Sequence, residues 1–471
     1  MSLVTPGVVA ASTLLAEPRP AWLAGWAAFA ADLRFDDLDS VLVAQAKLIA
    51  LDCLGAIAAG MREPEPRALA RRLAARGGGA HVAIGAGLRL GAHDAAFVNG
   101  VAGTTLELDE GNRFARGHPG IHVLPAALAA RAPERVEGRA LLRAFVLGYE
   151  ICARVGAASR LRAGVHPHGT WGVIGAALAA VCLEGADERR IVEAVNVGAA
   201  LSGAASLRAM LEGATVRNAY AGVAARNGLV AADLVAAGFT GEIDATRSVY
   251  DGLIGEGFRP DAMTEALGER WEMRRNYFKR HAACRFTHGA LDVAARFLAE
   301  RGRPSIPSIR SIEIDTYVWA AQLDAPAPAN MLAAKFSLPF AVATMLRRGA
   351  ADVEAFRAAA LADAATLDLA RRIRVREDAA YTAMGPDKRP ARLAIHFADG
   401  EAWRGETLGN RGDEADPYAP DEIVAKFMSL AGAVWGEAHA ARLVEAVEGL
   451  DRAPSLAALD ALLSAPAIGD D

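Results

Sequence analysis

The sequence predicts a mainly α-helical protein, in which both ends of the chain form one large all-helical domain and a smaller α+β domain is inserted between them. Three observations predict this. Alanine- and leucine-rich segments with helical periodicity fill the first half of the chain, strand-like alternation starts only after about residue 275, and helical periodicity returns from Pro420. The predicted boundaries are 1–275, 276–415 and 416–471. A chain of 471 residues is also too long for one simple core.

The first long helix illustrates the helical domain. Asp39 or Ser40 is a suitable N-cap for the segment "DSVLVAQAKLIALDCLGAIAAG", and Gly60 ends it. Several later segments are apolar on nearly every face, which indicates helices buried inside a bundle. Four glycines in these segments would let neighbouring backbones approach closely: Gly172, Gly175, Gly198 and Gly203.

The inserted domain is predicted from three segments in which apolar and charged residues alternate. They are 310–318, 371–378 and 391–408. The third contains the turn signal Asp399-Gly400 between two strand-like halves and therefore predicts a β-hairpin. Helical segments lie between the strands, so the domain is expected to be α+β.

Composition and charge exclude several classes of protein. The net charge of −5 gives no excess of positive charge that would indicate binding to nucleic acid or to an anionic membrane. The four cysteines lie far apart, which argues against a disulfide scaffold or a thiolate zinc site. The uncharged run 163–183 contains an apolar segment of only about a dozen residues, too short to span a bilayer. With no basic leader at the N-terminus, the expected location is the cytoplasm.

Titratable residues are concentrated in "LDEGNRFARGHPGIH", residues 108–122. The preceding helix is predicted to end near 109–111, and the next to begin near Pro119. A carboxylate at a helix C-terminus is electrostatically disfavoured. Asp109 is therefore expected to have an interaction partner or a functional role. His118 precedes a helix N-terminus, which favours an anion. The alternative is a polar loop whose charges pair with each other. Glu107, Glu110 and His122 are interpreted as helix-end or structural groups.

Three further clusters carry polar side chains. "VHPHGTWGVIGAALAA" places His166 and His168 before a core helix, "GATVRNAYAG" places Arg217 at a helix start, and "NYFKRHAACRFTHGALDVAARF" stands at the junction with the α+β domain. Together the clusters predict a basic pocket with one or two acid/base groups. Such a pocket suits a small polycarboxylate, because cations hold the carboxylates while a histidine or aspartate removes a proton from carbon.

Other chemistries find little support in the sequence. His166-x-His168 lacks a further ligand with suitable spacing, so no metal site is predicted. Core packing is the better interpretation of Cys284 than nucleophilic catalysis. The chain also lacks a glycine-rich phosphate loop, HExxH and GxSxG, which argues against NTPases, zincins and α/β-hydrolases.

Seven motifs, taken in order, resemble the MmgE/PrpD family: "DCLGAIAAG", "FVNGVAGTTLELDEGNRFARGHPGIHVLPAALA", "VLGYEICARVG", "HPHGTWGVIGAALAA", "GFTG", "YFKRHAACRFTHGALD" and "AKFSLPF". That family includes 2-methylcitrate dehydratase, cis-aconitate decarboxylase and iminodisuccinate epimerase. The resemblance implies a helical domain with an α+β lid, an active site in the cleft between them, a homodimer, and no metal or organic cofactor.

The resemblance also assigns residues. It implies that Asp109, His118, His166 and Lys279 are catalytic. The chain departs from the family pattern at four positions. Arg217 and Tyr220 occupy family lysine and histidine positions, His168 replaces a threonine, and Phe340 replaces a frequent tyrosine. These departures argue against decarboxylation and against 2-methylcitrate as the specific substrate.

The predicted function is therefore a cofactor-independent hydro-lyase that acts on a small di- or tricarboxylic acid. His118 or His166 would remove the proton α to a carboxylate, with Asp109 as orienting group or partner acid. The substrate-binding residues are expected to be Arg113, Arg116, Arg217, Arg285 and His288. The alternatives are an epimerase or other isomerase of a dicarboxylate, a cis-aconitate-type decarboxylase and, less favoured, a non-catalytic carboxylate-binding protein.

Overall fold

The computed structural model describes residues 18–469 and is mainly helical. The longer helices before residue 276 are Ala21–Asp32, Ser40–Gly60, Pro64–Ala74, Ala92–Thr105, Pro119–Ala129, Gly138–Ala158, Gly172–Leu183, Glu188–Ala200 and Ala219–Ala236. Shorter helical segments are Arg208–Glu212, Ala245–Arg247, Ser248–Leu253 and Asp261–Thr264. The helices near the C-terminus are Pro420–Trp435, Glu437–Glu448 and Ala457–Leu463.

Helices near both ends of the described residues 18–469 share one hydrophobic core. The buried cluster of the helical part contains Trp26 from the first described helix and Phe427 from the helix Pro420–Trp435. That helix packs on Ser40–Gly60, where a Cβ on Gly55 would stand 3.0 Å from the Phe427 ring. Asp39 caps Ser40–Gly60 by accepting the N–H groups of the first turn, as expected from its position.

The α+β part has its own buried cluster, drawn mainly from residues 282–403. Its four-stranded sheet has the order Ile373–Glu377, Ile309–Thr316, Ala391–Phe397, Ala402–Thr407. The first pair is parallel and the other two pairs are antiparallel, so the predicted strands and hairpin are confirmed. The helices of this part are His288–Arg301, Val318–Ala321, Met331–Lys335, Leu338–Arg348, Ala358–Leu361, Ala364–Arg371 and Ala379–Thr382. The exact domain boundaries and the lid function stay predictions.

Short ladders join loops that are distant in sequence. Gly111–Asn112 pairs with Asn276–Tyr277, which brings the loop after the helix Ala92–Thr105 next to the start of the α+β part. Val165–His166 pairs with Ala205–Ser206. The remaining ladders are His81–Ala83 with Leu88–Leu90 and Ser159–Leu161 with Gly255–Phe258.

Within residues 18–469, one helix is long and apolar enough to cross a membrane by length and composition. It is Ser40–Gly60, and 72% of its apolar window is buried inside the fold. The segment 163–183 contains a helix of only 12 residues, Gly172–Leu183.

Glycines permit a close crossing between the helices Gly138–Ala158 and Gly172–Leu183. A Cβ on Gly175 would lie 2.5 Å from the carbonyl oxygen of Gly148 and 2.8 Å from the Cβ of Cys152. A Cβ on Gly148 would in turn lie 2.6 Å from the carbonyl oxygen of Gly175. The helices Gly138–Ala158 and Gly172–Leu183 therefore touch backbone to backbone, as predicted for Gly175.

We expect Gly175→Ala to destabilise the protein by about 1–3 kcal/mol, because the added methyl overpacks a backbone contact that cannot yield. The matched control is Gly432→Ala, also within a helix, where the nearest atom to a new Cβ is 3.9 Å away. That control should be neutral or stabilising by up to about 1 kcal/mol. Thermal unfolding of both variants checks this. An unfolding temperature for Gly175→Ala at or above that of the unmodified protein would contradict it.

Candidate active site

The loop that follows the helix Ala92–Thr105 carries the acidic residues of the site. The helix ends at Thr105, so the prediction that it continues to residues 109–111 was wrong. Glu107 adopts a φ of 55°, in the left-handed region, and this ends the helical path of the chain. Three acidic side chains of the loop are nevertheless buried: Glu107, Asp109 and Glu110. Asp109 therefore owes its environment to the tertiary structure and not to a helix terminus.

Asp109 and His118 form a buried pair. His118 Nδ1 lies 2.6 Å from Asp109 Oδ2, and Lys279 Nζ lies 3.9 Å from Asp109 Oδ1. Burial works against the charged carboxylate, but the neighbouring His118, which also hydrogen-bonds to it, and the charge of Lys279 outweigh burial and hold the pKa of Asp109 well below its usual range. Burial lowers the pKa of His118 despite the neighbouring Asp109 carboxylate. The pair is therefore a carboxylate that accepts the Nδ1 proton of a neutral imidazole, which leaves Nε2 as a base.

Glu107 links two cations next to this pair. Lys279 Nζ donates to the Glu107 side chain at 3.2 Å and to the Glu107 carbonyl oxygen at 3.1 Å. The Arg217 guanidinium forms an ion pair with the same carboxylate, and all three side chains are buried. Burial opposes the charge on Glu107, but Arg217 and Lys279 together lower its pKa. Sequence reasoning missed Glu107 because it was interpreted as a helix-end group. Its place two residues before Asp109 is the signal that could have found it.

The second histidine cluster packs against His118. The ring of His168 lies between three other histidines, with ring centroids 4.6 Å from His118, 5.0 Å from His122 and 4.8 Å from His166. Burial lowers the pKa of each, to about 4 for His122. His166 Nδ1 accepts the backbone N–H of His168 at 3.0 Å. The structure therefore brings together His118 and His166 in one neutral, buried group of imidazoles.

Glu110 supports the position of His118. Its carboxyl group accepts the N–H of Gly120 at 2.7 Å and the hydroxyl of Tyr149 at 3.0 Å. Gly120 stands in the first turn of the helix Pro119–Ala129, which begins directly after His118 as predicted. His122 Nδ1 donates to the carbonyl oxygen of His118 at 2.6 Å. The side chains of Glu110 and His122 both hydrogen-bond to backbone groups at the start of this helix, which agrees with their interpretation as structural groups.

Lys335 is a further buried lysine that the sequence analysis did not single out, although it lies in the motif "AKFSLPF". Its Nζ donates to the carbonyl oxygen of Thr105 at 3.0 Å, and its side chain is fully buried. Burial lowers its pKa to about 7, even though Glu107 and Glu63 favour the charged form. Phe340 of the same motif is fully buried and has no hydroxyl to contribute.

The side chains of Arg113 and Arg116 donate to backbone carbonyl groups and not to the Asp109–His118 pair. Arg113 donates to the carbonyl oxygen of Asp387 at 2.9 Å. Arg116 donates to the carbonyl oxygens of Gly156 and Ser159, at the C-terminal end of the helix Gly138–Ala158. Arg116 therefore satisfies helix-end carbonyls, a structural use. Substrate binding by either arginine stays a prediction.

Arg285 and His288 form a buried structural group. Arg285 pairs with Asp413 at 2.7 Å and donates to His288 Nδ1 at 3.0 Å, while His288 Nε2 donates to the carbonyl oxygen of Ala283 at 3.2 Å. Both nitrogens of His288 are thus engaged. Substrate binding by these two residues also stays a prediction, since these contacts account for much of their hydrogen-bonding capacity.

Neither a cluster of metal ligands nor the cavity described below is found at the Asp109–His118 pair within residues 18–469. Among these residues, no group of three or more His, Cys, Asp and Glu side chains is arranged to hold a metal ion. A cavity of about 570 Å³ lies elsewhere, between the helices Ser40–Gly60 and Pro420–Trp435, and its wall includes Val43, Leu51 and Val424. The Asp109–His118 pair does not line that cavity.

Family models match most of the chain. The MmgE/PrpD N-terminal domain matches residues 25–257, and the MmgE/PrpD C-terminal domain matches residues 281–452. The chain belongs to the MmgE/PrpD family. The resemblance expected from the sequence motifs is confirmed.

Curated relatives of this MmgE/PrpD protein cover most of its length. "Cis-aconitate decarboxylase" of Aspergillus terreus is 25% identical over 467 residues, which is 93% of this chain and 95% of the relative. "Cis-aconitate decarboxylase-like protein oryM" of Aspergillus oryzae is 27% identical, over 81% of this chain and 84% of the relative. "Cis-aconitate decarboxylase" of Homo sapiens is 24% identical, over 80% and 81%.

We expect Glu110→Gln to change how stability depends on pH. Burial raises the pKa of Glu110 from 4.5 to about 8. Between these values the folded protein holds a proton that the unfolded chain has released, so stability falls as pH rises through this window. The slope is up to about 1.4 kcal/mol per pH unit. Glutamine remains neutral, so the variant should lose less stability between pH 5 and 8 than the unmodified protein.

Thermal unfolding across this pH range measures the difference between the two proteins. The matched control is Glu445→Gln, on an exposed position of the helix Glu437–Glu448. If the unfolding temperatures of Glu110→Gln and the unmodified protein stay parallel from pH 5 to 8, Glu110 does not carry a raised pKa.

Proposed function

We propose that this protein is a lyase that acts on a small di- or tricarboxylic acid, and that its reaction is decarboxylation. The observation that carries the proposal is the buried Asp109–His118 pair next to Arg217 and Lys279. The names of the three relatives favour decarboxylation over the dehydration that the sequence motifs predicted first.

Arg217 and Lys279 would bind a carboxylate of the substrate. Both cations already contact Glu107, so the substrate carboxylate would share them with this residue. The buried atoms Arg217 Nε and Asp109 Oδ1 have no hydrogen-bond partner among the residues that the structure describes. Unpartnered buried polar atoms are rare in folded proteins, and here they offer contacts for a polar ligand. Because the site excludes bulk water, each ionic contact is stronger than at a surface.

Decarboxylation breaks a carbon–carbon bond and leaves the electron pair on the substrate while CO₂ departs. Cations close to a remaining carboxylate stabilise the negative charge that develops there. A proton must then be added to the carbon skeleton. His118 is suited to carry it, because the Asp109 carboxylate stabilises the imidazolium formed when Nε2 takes up a proton.

Dehydration is the second candidate, and the neutral state of His118 favours it. Burial lowers the pKa of His118, so the imidazole is available to remove a proton α to a carboxylate. The two reactions use opposite protonation states of the same residue, and this difference makes them distinguishable.

We expect CO₂ release when the protein is incubated with cis-aconitate, and less or none with citrate or 2-methylcitrate. A coupled assay measures CO₂, and proton NMR identifies the organic product. Loss of water without CO₂ would replace decarboxylation by the hydro-lyase reaction. Exchange of the substrate α-hydrogen in heavy water without net reaction would indicate an epimerase. Saturable binding of these acids without any chemistry would overturn the proposal that the protein is a lyase.

We expect His118→Asn to lower kcat by about 10²–10⁴-fold without a comparable loss of thermal stability, because the acid/base group is removed. His396→Asn, on the strand Ala391–Phe397 of the α+β part, is the control. In the unmodified enzyme, decarboxylation that needs the imidazolium should slow as pH rises through the lowered pKa of His118, below 6.5. A rate that instead increases through the same range requires the neutral base and contradicts proton delivery by His118.

A further inference from the structure

We propose that Lys426 is a positioning residue for the active site, and that it holds the backbone between Glu107 and Asp109 in place. Lys426 lies in the helix Pro420–Trp435, more than 300 positions along the chain from this loop. Its Nζ donates to the carbonyl oxygen of Leu108 at 2.5 Å and to Asp52 Oδ1 at 2.6 Å. The geometry of this contact does not depend on the proposed function. Its consequence for turnover rests on that function.

The loop needs such a contact because its backbone conformation is unfavourable by itself. Glu107 has a φ of 55°, and a residue with a Cβ in this region costs roughly 1–2 kcal/mol. A conformation of this kind persists only when surrounding contacts determine it. Two lysines provide them at consecutive carbonyl groups: Lys279 binds the carbonyl oxygen of Glu107, and Lys426 binds that of Leu108.

Asp52 fixes the ammonium group of Lys426. It belongs to the helix Ser40–Gly60 and is 1% exposed, and the Lys426 side chain is 12% exposed. Lysine has a long flexible side chain, so a carboxylate partner is needed to keep its donors in one place. The Asp52–Lys426 pair thus connects a core helix to the turn that presents Glu107 and Asp109.

Lys47 provides a matched comparison within the same fold. Its Nζ contacts Asp451 Oδ1 at 2.5 Å and the carbonyl oxygen of Glu448 at 2.7 Å. Like Lys426, it donates to one carboxylate and one carbonyl oxygen, and it too forms an ion pair between the helix Ser40–Gly60 and the C-terminal part of the chain. Its contacts are with Glu448 and Asp451 and do not include the loop. A purely structural role for Lys426 therefore predicts that Lys426→Met and Lys47→Met have the same effects.

The test compares Lys426→Met, Lys426→Arg and Lys47→Met by two measurements that need no substrate. Amide hydrogen exchange reports the order of residues 107–110, and NMR titration of the histidine ring reports the pKa of His118. Lys426→Met should speed exchange in this loop and lower the pKa of His118 by about half a unit or more, since the Asp109 carboxylate raises that pKa. Lys47→Met should change neither, and Lys426→Arg should retain most of both signals.

Turnover gives the third measurement. Lys426→Met should reduce kcat about tenfold or more, at an unfolding temperature close to that of Lys47→Met, because a misplaced acid/base pair slows the chemical step. If Lys426→Met does not fold, Asp52→Asn releases the ammonium group without removing it and should change exchange and the His118 pKa in the same direction. Loop exchange and a His118 pKa equal to those of Lys47→Met would overturn the proposal. If the unmodified protein turns over none of the tested acids, the proposed function fails, while exchange and titration still decide the role of Lys426.

Discussion

The structure around the candidate site depends on the burial of charge in opposite pairs. Glu107 and Asp109 are buried, and each would be strongly disfavoured as an anion without a cation beside it. Arg217 and Lys279 provide those cations, and Lys279 contacts both carboxylates. Removing one member would leave an uncompensated charge in the interior, so the group has to assemble as a unit.

The rest of the fold has to bring the members of this group of buried charges together. Its members come from the loop after the helix Ala92–Thr105, from the short 3-10 turn Thr215–Asn218 that precedes the helix Ala219–Ala236, and from the segment around Lys279. The ladder between Gly111–Asn112 and Asn276–Tyr277 brings two of these stretches together. The C-terminal helix Pro420–Trp435 reaches the same loop through Lys426. Distant parts of the chain therefore converge on one short irregular turn.

Much of the fold follows from local patterns. The strands Ile309–Thr316 and Ala391–Phe397 were predicted because apolar and charged residues alternate along a half-buried strand, and the hairpin because Asp399-Gly400 favours a tight turn. The helix end at Thr105 was not predicted, because helical periodicity continues through the following residues while the backbone reverses at Glu107. No local rule places a glutamate in the left-handed region. The surrounding contacts with Lys279 and Lys426 stabilise it there.

The sequence by itself determined the mainly helical class, the strands of the α+β part and the residue types of the candidate site, because each is encoded in spacing over a few residues. It also led us to expect a partner for Asp109, although the helix on whose end that expectation rested already ends at Thr105. Only the tertiary structure decided which charged side chains pair. His118 pairs with Asp109, Glu107 lies between Arg217 and Lys279, and Arg285 pairs with Asp413. Arginine and lysine carry the same charge wherever they stand in a sequence. Whether such a charge lies free for a ligand or is neutralised by a buried glutamate depends on contacts between segments more than a hundred residues apart.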